Sequence, residues 1–552
     1  MESAFLYKKS RLSLFINIKL NMYYPKSYII QGGDSMSNIC PGFVKEPQIL
    51  SIEDIRSYEI NNVYNGIPLL LLMENAGRAV ADAVECRIGD LKNKKVIVYA
   101  GRGGNGGDAL VASKHLSLRG ADVTVYLLYD FNLVEHQDTL VNLKSLINSK
   151  QLKIIHLQDP KEYKPQDADV LIDGILGIGI KGKLREPIAS ALKAFNSSTG
   201  LRVAVDVPTG VDPETGNVVE GAAIADVTVT MHSLKPGLIK EEARNYVGEI
   251  MVAEIGIIKD SEIYGGPGDV LFRIPKRPKD AIKGGNGKVL TIGGSYHYFG
   301  APYYASSAAL LSGADLVFLA SPEKVAVSAA QNNPGIIPFP LKGEYINEDH
   351  INELIEEAKK VDVVAIGPGL GNKEETRNAV IKLINSLKGK PMVIDADALK
   401  SIANSDIKLW EEAVLTPHRG EAVLLAGRSG EPDNLSMEIA KKYNATVIVK
   451  GPIDVICLPN GKCRYNKTGH PAMAVGGTGD VLTGIISGFL SRRIALMKDA
   501  NILHTVTAAA YISGKAGELA VKEKGENITA LDVLYNIQNA IKEVEVYSRG
   551  SG

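Results

Sequence analysis

The fold of the first half of this chain is most readily predicted from Lys95-Val-Ile-Val-Tyr-Ala-Gly-Arg-Gly-Gly-Asn-Gly-Gly-Asp108. Lys95 to Ala100 is a short apolar run typical of a buried strand, and the glycine-rich turn after it leads into a helical pattern from Ala109 to Arg119. A strand that runs through glycines into a helix predicts one βα unit of a parallel sheet. Glycines there let a ligand approach backbone N–H groups at a helix start.

The alternation of strand and helix continues on both sides of this stretch. A helical segment from Gln48 to Glu85 precedes it, and further strands are predicted at Val123–Leu128, Val170–Asp173, Arg202–Asp206 and Val227–Thr230. The pattern predicts a doubly wound parallel α/β sheet. In such sheets ligands bind beyond the carboxyl ends of the strands. The glycine turn after Ala100, Asp173 and Asp206 lie at such ends.

A second α/β pattern follows a break rich in Pro, Gly and basic residues at Tyr264–Pro278, where we predict a linker. A helix is expected at Ala305–Leu311, and the predicted strands are Lys288–Ile292, Asp362–Ile366, Met392–Asp395, Ala413–Leu415 and Thr446–Val449. The sequence therefore predicts two doubly wound α/β domains, which we place at residues 47–265 and 270–545. Residues 1–46 match nothing that follows, so we expect an unstructured extension or a start codon placed too early, with Met36 the better start.

Composition excludes several classes of function. The 552 residues suggest two or three domains, and 62 basic against 63 acidic side chains give no electrostatic case for a nucleic acid or an anionic membrane. No apolar run is long enough to span a bilayer. Four cysteines indicate a reducing, cytoplasmic setting. We expect no pairing of Cys457 with Cys463, because a two-residue turn at Asn460-Gly461 would place them on opposite faces.

The first half carries a cluster of polar residues that follow strand ends. Carboxylate, amide and hydroxyl oxygens converging there would suit a hard cation, and Lys181, within Gly177–Gly182, could reach a phosphate. The alternative is that the glycines only form tight turns and the aspartates only cap helices. The residues of this cluster are Asn105, Asp108, Asp173, Asp206 and Thr209.

The second half carries Gly476-Gly-Thr-Gly-Asp480 before a helical pattern. Backbone N–H groups at that helix start can bind an anion, and Asp480 is placed to take a proton from a hydroxyl beside a phosphoryl group. Lys450-Gly451 indicates a nucleotide loop, although an ordinary β-turn would give the same residues. His418 could orient a substrate or could simply be a solvated loop histidine. No G-x-x-x-x-G-K-[ST] pattern occurs.

Taken together, these motifs resemble a known family. From about Gln48 to Glu543 the chain is similar to bifunctional NAD(P)H-hydrate repair enzymes, in which a YjeF-N-type epimerase is fused to an ADP-dependent dehydratase. The resemblance rests on Met73–Gly77, Gly104–Asp108, Asp173 with Gly177–Gly182, Asp206–Gly210, Gly300-Ala301, Gly367–Gly371, Thr416–Glu421, Lys450-Gly451 and Gly476–Asp480. It implies a Rossmann-like first domain and a ribokinase-like second domain.

The resemblance also implies site residues and cofactors. The epimerase substrate would contact Gly104, Asn105, Gly106, Gly107, Asp108, Gly177, Ile178, Gly179, Ile180, Lys181, Gly182, Lys183 and Asp206. Potassium would be held by Asn105, Asp173 and Thr209. The dehydratase substrate would contact Ala301, Gly369, His418 and Asp480, and the adenine nucleotide Lys450, Gly451, Pro452, Ile453, Asp454 and Gly479.

Two departures from the family pattern affect these assignments. Gly104 and Ala109 stand where the family usually has Asn and Gly, which we expect to alter binding without abolishing it. Asp454 stands where a threonine is common. A carboxylate would repel nucleotide phosphates, which puts a side-chain contact by Asp454 in doubt.

The favoured hypothesis is repair of NADH and NADPH hydrated at C6 of the nicotinamide ring. The first domain would interconvert the R and S epimers with Asp206 as the proton carrier. The second would phosphorylate the S epimer from ADP, with Asp480 as base and magnesium on the nucleotide, and release NAD(P)H, AMP and phosphate. We expect a cytoplasmic homo-oligomer whose partners are NADHX, NADPHX and ADP, with no nucleic acid or membrane. The alternatives are a C-terminal kinase for a small hydroxylated metabolite and an N-terminal binding module without catalysis.

Overall fold

The computed structural model describes residues 40, 42–157, 159–179, 183–218, 220–403 and 405–550. Both sheets lie within the unit formed by Gly42–Gly552. Most of the predicted extension at 1–46, namely residues 1–39 and 41, falls outside the described residues. Residues 43 and 44 already pair with the first sheet, because the Val44 N–H donates to the Val252 carbonyl at 2.8 Å and Phe43 forms a bridge with Ala253.

Seven strands of the described chain form the first sheet, in the order β3-β2-β1-β4-β5-β6-β7, and all of its pairs are parallel. Its strands are β1 Lys95–Ala100, β2 Asp122–Leu127, β3 Lys153–His156, β4 Asp167–Gly174, β5 Thr199–Val205, β6 Val227–Met231 and β7 Glu249–Ala253. Its helices are α1 Ile52–Tyr64, α2 Leu69–Ile88, α3 Gly104–Leu118, α4 Gln137–Ile147, α5 Ile188–Asn196, α6 Arg244–Val247 and α7 Lys259–Ile263.

Nine strands of the described chain form the second sheet, in the order β10-β9-β8-β11-β12-β13-β14-β15-β16, with the last two pairs antiparallel. The strands are β8 Lys288–Ile292, β9 Leu316–Pro322, β10 Ile336–Leu341, β11 Val363–Ile366, β12 Met392–Ile394, β13 Ala413–Leu415, β14 Thr446–Val449, β15 Asp454–Cys457 and β16 Cys463–Asn466. The helices are α8 Pro267–Arg273, α9 Gly300–Leu311, α10 Glu323–Asn332, α11 Ile351–Ala358, α12 Glu374–Ser386, α13 Ala396–Ile402, α14 Arg419–Ala426, α15 Pro432–Tyr443, α16 Thr478–Met497, α17 Ile502–Lys524 and α18 Ala530–Val544.

The predicted fold class, two doubly wound α/β sheets, is confirmed. Strands such as β11 and β12 are buried at every position, because helices cover both faces of a parallel sheet. The Gln48–Glu85 segment is two helices, since Gly66 (φ 92°) and Pro68 interrupt it. The glycine turn itself forms the first turn of α3, which begins at Gly104 and not at Ala109.

The linker predicted at Tyr264–Pro278 is wrong for its first part. Pro267–Arg273 is a helix with Pro at its first position and Asp269 in its first turn, an arrangement that favours helix initiation. Asp269 and Arg273 are fully buried. The composition of the segment concealed this, because its charged side chains pair with buried partners and do not face solvent.

Those partners form an ion network that joins α1 to the second half. Arg273 donates to Glu53 at 3.0 Å and to Asp54 at 2.5 Å. Arg464 pairs with Asp269, and His504 lies 3.3 Å from Asp54. Burial by itself would raise the pKa of Asp269, but Arg464 and His504 hold it well below its ordinary value. The Asp269 carboxylate therefore stays charged. Its removal would leave the buried Arg464 guanidinium without this partner.

We expect Asp269→Ala to lower the free energy of unfolding by about 3–5 kcal/mol, since it strands Arg464 in the interior. The matched control is Asp260→Ala, which removes a half-exposed partner of Lys467 and should cost about 0–1 kcal/mol. Urea denaturation followed by the fluorescence of Trp410, the single tryptophan of the chain, measures both. Equal losses in the two variants would contradict the assignment of a buried network.

The expectation that Cys457 and Cys463 do not pair is also wrong, because they form a disulfide. Leu458 N–H donates to the Lys462 carbonyl at 2.9 Å, and Gly461 N–H to the Leu458 carbonyl at 3.0 Å. The loop is therefore three residues long, and the cysteines stand directly opposite each other in the ladder, with 4.2 Å between their Cα atoms. Opposite residues share a face. The disulfide removes the support that the small number of cysteines gave to a reducing setting.

Among the described residues, none of the helices combines the length and the apolar character that crossing a bilayer requires.

Candidate functional sites

The first site lies where the strand order of the first sheet reverses, between β1 and β4. Such a switch point opens a crevice at the carboxyl ends of the two strands. The backbone must approach closely there: a Cβ on Gly101 would lie 1.9 Å from the Ile175 carbonyl oxygen, and one on Gly106 would lie 1.9 Å from the Gly101 carbonyl oxygen. Gly104 is different, since among the described residues a Cβ there would meet nothing but the His136 ring, at 3.7 Å. A side chain would fit at Gly104.

An oxygen-rich cluster crosses this switch point. Thr209 donates from its N–H and from its hydroxyl to the two carboxylate oxygens of Asp173, each at 2.7 Å. Asn105 donates its amide to the Leu176 carbonyl at 3.1 Å. Among the described residues, the amide oxygen of Asn105 is buried without a hydrogen-bond partner. A buried acceptor without a partner is unfavourable unless a cation or a hydrogen-bond donor binds to it. Burial raises the pKa of Asp173 to about 6.

A buried lysine fixes Asp206. Lys235 is 1% exposed and pairs with the Asp206 carboxylate, and its ammonium also donates to the Thr230 hydroxyl at 2.9 Å and to the Met231 carbonyl at 2.8 Å. Met231 N–H donates to Asp206 at 3.0 Å. Asp206 adopts a φ of 63°, a left-handed conformation uncommon for residues other than glycine. Strain of this kind persists where the surroundings impose it, often at functional sites.

Two further carboxyl groups interact electrostatically with this ion pair. Burial, and then the charge of Asp206, raise the pKa of Glu59 to about 7. The same causes, with Glu59 added, raise the pKa of Asp108 well above its ordinary value. One lysine cannot neutralise three carboxylates, so near neutral pH the cluster holds protons as well as a carboxylate. A group that accepts a proton and groups that donate one are thereby available in the same site.

The other residues expected in the first site have three different outcomes in the structure. Ile180, Lys181 and Gly182 lie outside the described residues. Lys183 is exposed and pairs with Glu220 at 2.5 Å. Gly177 lies against Asn105, with 3.3 Å between its Cβ position and the Asn105 amide oxygen. The sequence reasoning missed Glu59 and Lys235. Lys235 follows the carboxyl end of β6, a position that could have drawn attention to it.

The second site lies where the order of the second sheet reverses, between β8 and β11. Gly294 N–H donates to the Pro368 carbonyl at 2.8 Å, which joins the loops after these two strands. Gly369 has a φ of 69°, and a Cβ on it would lie 2.9 Å from the Cβ of Tyr298 and 3.3 Å from that of Ala301. The structure thus places Ala301 and Gly369, two expected substrate contacts, beside each other.

The start of α16 forms one wall of the second site. Gly477 precedes the helix with a φ of 99°, and a Cβ on it would lie 2.8 Å from the Tyr304 ring. The N–H groups of the first turn have no partner within a helix, so they offer an anion site. A Cβ on Gly479 would lie 3.1 Å from the Lys450 ammonium. Lys450 and Gly479, both expected to contact nucleotide, are therefore neighbours.

Asp480 follows in the same turn and is half-buried. Burial, and then the charge of Asp395, raise its pKa to about 7, although Lys450 opposes them. Asp395 accepts from the Lys450 ammonium at 3.0 Å and from the Thr483 hydroxyl at 2.8 Å. The sequence reasoning named Asp395 only as the end of a strand and did not consider Thr483. The rule that ligands bind beyond strand ends could have singled out Asp395.

His418 and Asp454 have structural partners of their own. His418 caps α14, because its Nδ1 accepts from Gly420 N–H at 3.0 Å and from Glu421 N–H at 3.2 Å. Its Nε2 therefore carries the ring proton, and the exposed ring is available as a donor. The Asp454 carboxylate accepts from Gly451 N–H at 3.0 Å and from the Asn466 amide at 2.9 Å. It stabilises the turn that follows Lys450, which explains how a carboxylate fits at this position.

Comparisons with known proteins cover both halves. Residues 70–237 match the family described as "YjeF-related protein N-terminus", and residues 289–539 match "NAD(P)H-hydrate dehydratase". The protein named bifunctional NAD(P)H-hydrate repair enzyme Nnr of Hyperthermus butylicus is 40% identical over 505 residues, 88% of this chain and 91% of its own length. That of Methanothermobacter thermautotrophicus is 39% identical over 90% of this chain and 96% of its own length.

Solved structures also match part of the chain. One is the Bacillus subtilis ADP/ATP-dependent NAD(P)H-hydrate dehydratase co-crystallised with ATP/Mg²⁺. It is 25% identical, covers 51% of this chain and 99% of its own, and has a TM-score of 0.43.

Proposed function

Because this chain belongs to the family of bifunctional NAD(P)H-hydrate repair enzymes, we propose that it restores hydrated NADH and NADPH by two reactions at the two sites described above. The first site interconverts the R and S epimers of the hydrated cofactor. The second removes water from the S epimer with ADP as co-substrate. The observation that carries this proposal is the pairing, at each switch point, of a glycine-lined helix start with a carboxyl group that has cationic and acidic neighbours.

At the first site we assign Asp206 the proton transfer that accompanies inversion at C6. Inversion requires the C6–O bond to break and re-form, or the ring to open and close, and either route moves protons to and from the substrate. Lys235 fixes the Asp206 carboxylate. Glu59, whose pKa is raised to about 7, can supply a proton near neutral pH, and burial also favours the protonated form of Asp108. The epimerase substrate contacts implied by the family pattern remain part of this proposal.

Potassium fits the oxygen cluster of the first site. Asn105 offers an unpartnered amide oxygen, and Asp173 and Thr209 offer a carboxylate and a hydroxyl beside it. A bound cation would neutralise the buried Asp173 and fix the loop after β4 against α3. Oxygen ligands of this kind are those that hard cations take.

We expect epimerisation to slow by about tenfold when potassium is replaced by a large organic cation such as choline. Asn105→Ala should lose most of this dependence on potassium, because it removes the unpartnered oxygen. Gly104→Asn serves as the matched control, since that position has room for a side chain. The measurement is the rate of epimer equilibration, followed by chromatography at a series of potassium concentrations. An unchanged potassium response in Asn105→Ala would remove the cation from the proposal.

At the second site we assign Asp480 the role of base. It takes the proton of the C6 hydroxyl, whose oxygen then attacks the β-phosphorus of ADP and displaces AMP. The C6–O bond subsequently breaks with loss of phosphate and of the C5 proton, which restores the C5=C6 double bond. The first turn of α16 stabilises the charge of the transferring phosphoryl group, and Lys450 stands beside it. His418 donates from Nε2 to the substrate.

Magnesium accompanies the nucleotide in this proposal. Within the described ranges, no set of three or more His, Cys, Asp or Glu side chains is arranged to hold a metal ion. Magnesium commonly binds through substrate phosphates and water with few protein ligands, so we assign it to the phosphates of ADP, whose charge it would neutralise. A cytoplasmic location and a homo-oligomer stay predictions.

The test is to supply the S epimer of hydrated NADH with ADP and follow the absorbance of reduced nicotinamide as a function of pH. Asp480 must be ionised to act, and its pKa is raised to about 7. We therefore expect the rate to rise with pH by up to tenfold per unit below pH 7 and to level off above it. Phosphorylation of a small hydroxylated metabolite without recovery of absorbance would favour the kinase alternative.

A further inference from the structure

We propose that Asp395 is a positioning residue of the second site, which holds the Lys450 ammonium against the first turn of α16 and tethers that helix through Thr483. The inference rests on the proposed function of the site. It adds a residue that neither the family pattern nor the sequence reasoning assigned. Asp395 is the residue after β12, so the sheet fixes its backbone directly beneath the helix start.

The Asp395 carboxylate already has two hydrogen-bond partners within the protein. It is 2% exposed, and its two carboxylate oxygens are divided between two partners, Lys450 at 3.0 Å on one and Thr483 at 2.8 Å on the other. A buried carboxylate with one charged and one neutral donor is satisfied, so it does not need to contact a ligand. We therefore assign its effect on catalysis to the groups that it holds.

Lys450 is the first of these groups. Its backbone N–H donates to the Pro417 carbonyl at 2.9 Å, which attaches it to the loop that carries His418. Its ammonium lies 3.1 Å from the position that a Cβ on Gly479 would take. Burial alone would lower the pKa of Lys450, but Asp395, Glu421 and Asp480 raise it. The long side chain of lysine has many rotamers, and an ion pair to a fixed carboxylate selects one.

Asp480 is the second group, and the negative charge of Asp395 raises its pKa. The charged and titratable groups that act on Asp480 are Asp395, Lys450, Asp397, Glu421 and, across from α9, Tyr304. Removal of the Asp395 charge lowers the pKa of Asp480 directly. It also frees Lys450 to favour the Asp480 carboxylate, which lowers the same pKa further. Because both effects lower the pKa of Asp480, the midpoint of the pH–rate curve should move to lower pH.

The Thr483 contact provides a separate link. Thr483 lies one turn after Asp480 on α16, and its hydroxyl is fully buried. Thr483→Val keeps the volume and removes the hydrogen bond, but it changes no charge. This variant separates the tether from the electrostatic part of the proposal.

The experiment compares Asp395→Asn and Thr483→Val with the wild type, all as full-length chains, using the S epimer of hydrated NADH, ADP and magnesium over a range of pH. For Asp395→Asn we expect kcat to fall about 10- to 100-fold at pH 8 with less than a threefold change in the KM of the hydrated cofactor. The midpoint of the pH–rate curve should move below that of the wild type by about half a pH unit or more. Thr483→Val should keep the wild-type midpoint.

The outcomes separate this inference from the function on which it depends. A wild-type chain that recovers no NADH would overturn the proposed function. An active wild type with an unmoved midpoint in Asp395→Asn would overturn the positioning role alone, whatever the loss in kcat, because general damage to the fold lowers the rate without moving the midpoint. Urea denaturation followed by the fluorescence of Trp410, which lies in the same half of the chain as Asp395, reports whether that half of the variant has folded.

Discussion

Asp480→Asn is expected to lower the rate of ADP-dependent NADH recovery by about 10²- to 10⁴-fold, the usual contribution of a general base. The amide has nearly the same size as the carboxylate but cannot accept the hydroxyl proton. The first turn of α16 and the Lys450–Asp395 pair remain in place, so the substrate and nucleotide should still bind. We therefore expect the loss in kcat, with the KM values little changed, when the S epimer is supplied and absorbance is followed.

Epimerisation by the Asp480→Asn chain is the internal control. It should proceed at the wild-type rate, because the carboxyl groups of the first site lie on the other sheet. A variant that recovers NADH at full speed would exclude Asp480 as the base. The phosphoryl transfer would then have to proceed without a protein base at this position.

The second large effect is expected for Asp206→Asn, which should slow epimerisation by about 10²- to 10⁴-fold. The substitution removes the carboxylate that Lys235 fixes. The buried ammonium should not be left without a counter-charge, because Asp108 and Glu59 interact electrostatically with it and can ionise in its place. The chain is therefore expected to fold, and the loss is one of chemistry.

Equilibration of separated R and S epimers, followed by chromatography without ADP, measures this effect. Dehydration of purified S epimer by Asp206→Asn should match the wild type, which shows that the second site is intact in this variant. If epimers equilibrated at the wild-type rate, the catalytic role of Asp206 would be lost, and a binding function for the first domain would gain support.

Much of the fold could be predicted from the chain because strands of a parallel sheet are short apolar runs. Lys95–Ala100, Lys288–Ile292, Ala413–Leu415 and Thr446–Val449 have the same bounds in the structure as in the sequence reasoning. Helix starts were less predictable. Gly104 and Gly300 begin helices although glycine has a low helix propensity, so propensity alone places these helix starts too late in the sequence.

Parts of the sites could not be read from the sequence for a different reason. Glu59 comes from α1, which precedes the sheet, and Lys235 follows β6; only the tertiary fold brings them towards Asp206. The pairing of Asp395 with Lys450 joins residues 55 positions apart. Similarly, the Pro267–Arg273 segment has the composition of a linker but is buried by partners contributed by α1, β16 and α17. Long-range partners of this kind leave no periodic signal in the sequence.

The proposed mechanism places one step of cofactor repair at each of two independent sites on one chain. The most direct measurement mixes the Asp206→Asn and Asp480→Asn proteins and supplies both epimers of hydrated NADH with ADP, potassium and magnesium. Asp206→Asn alone should recover only the S share promptly, Asp480→Asn alone should recover almost none, and the mixture should recover the whole. A mixture that recovers no more than Asp206→Asn alone would contradict the account.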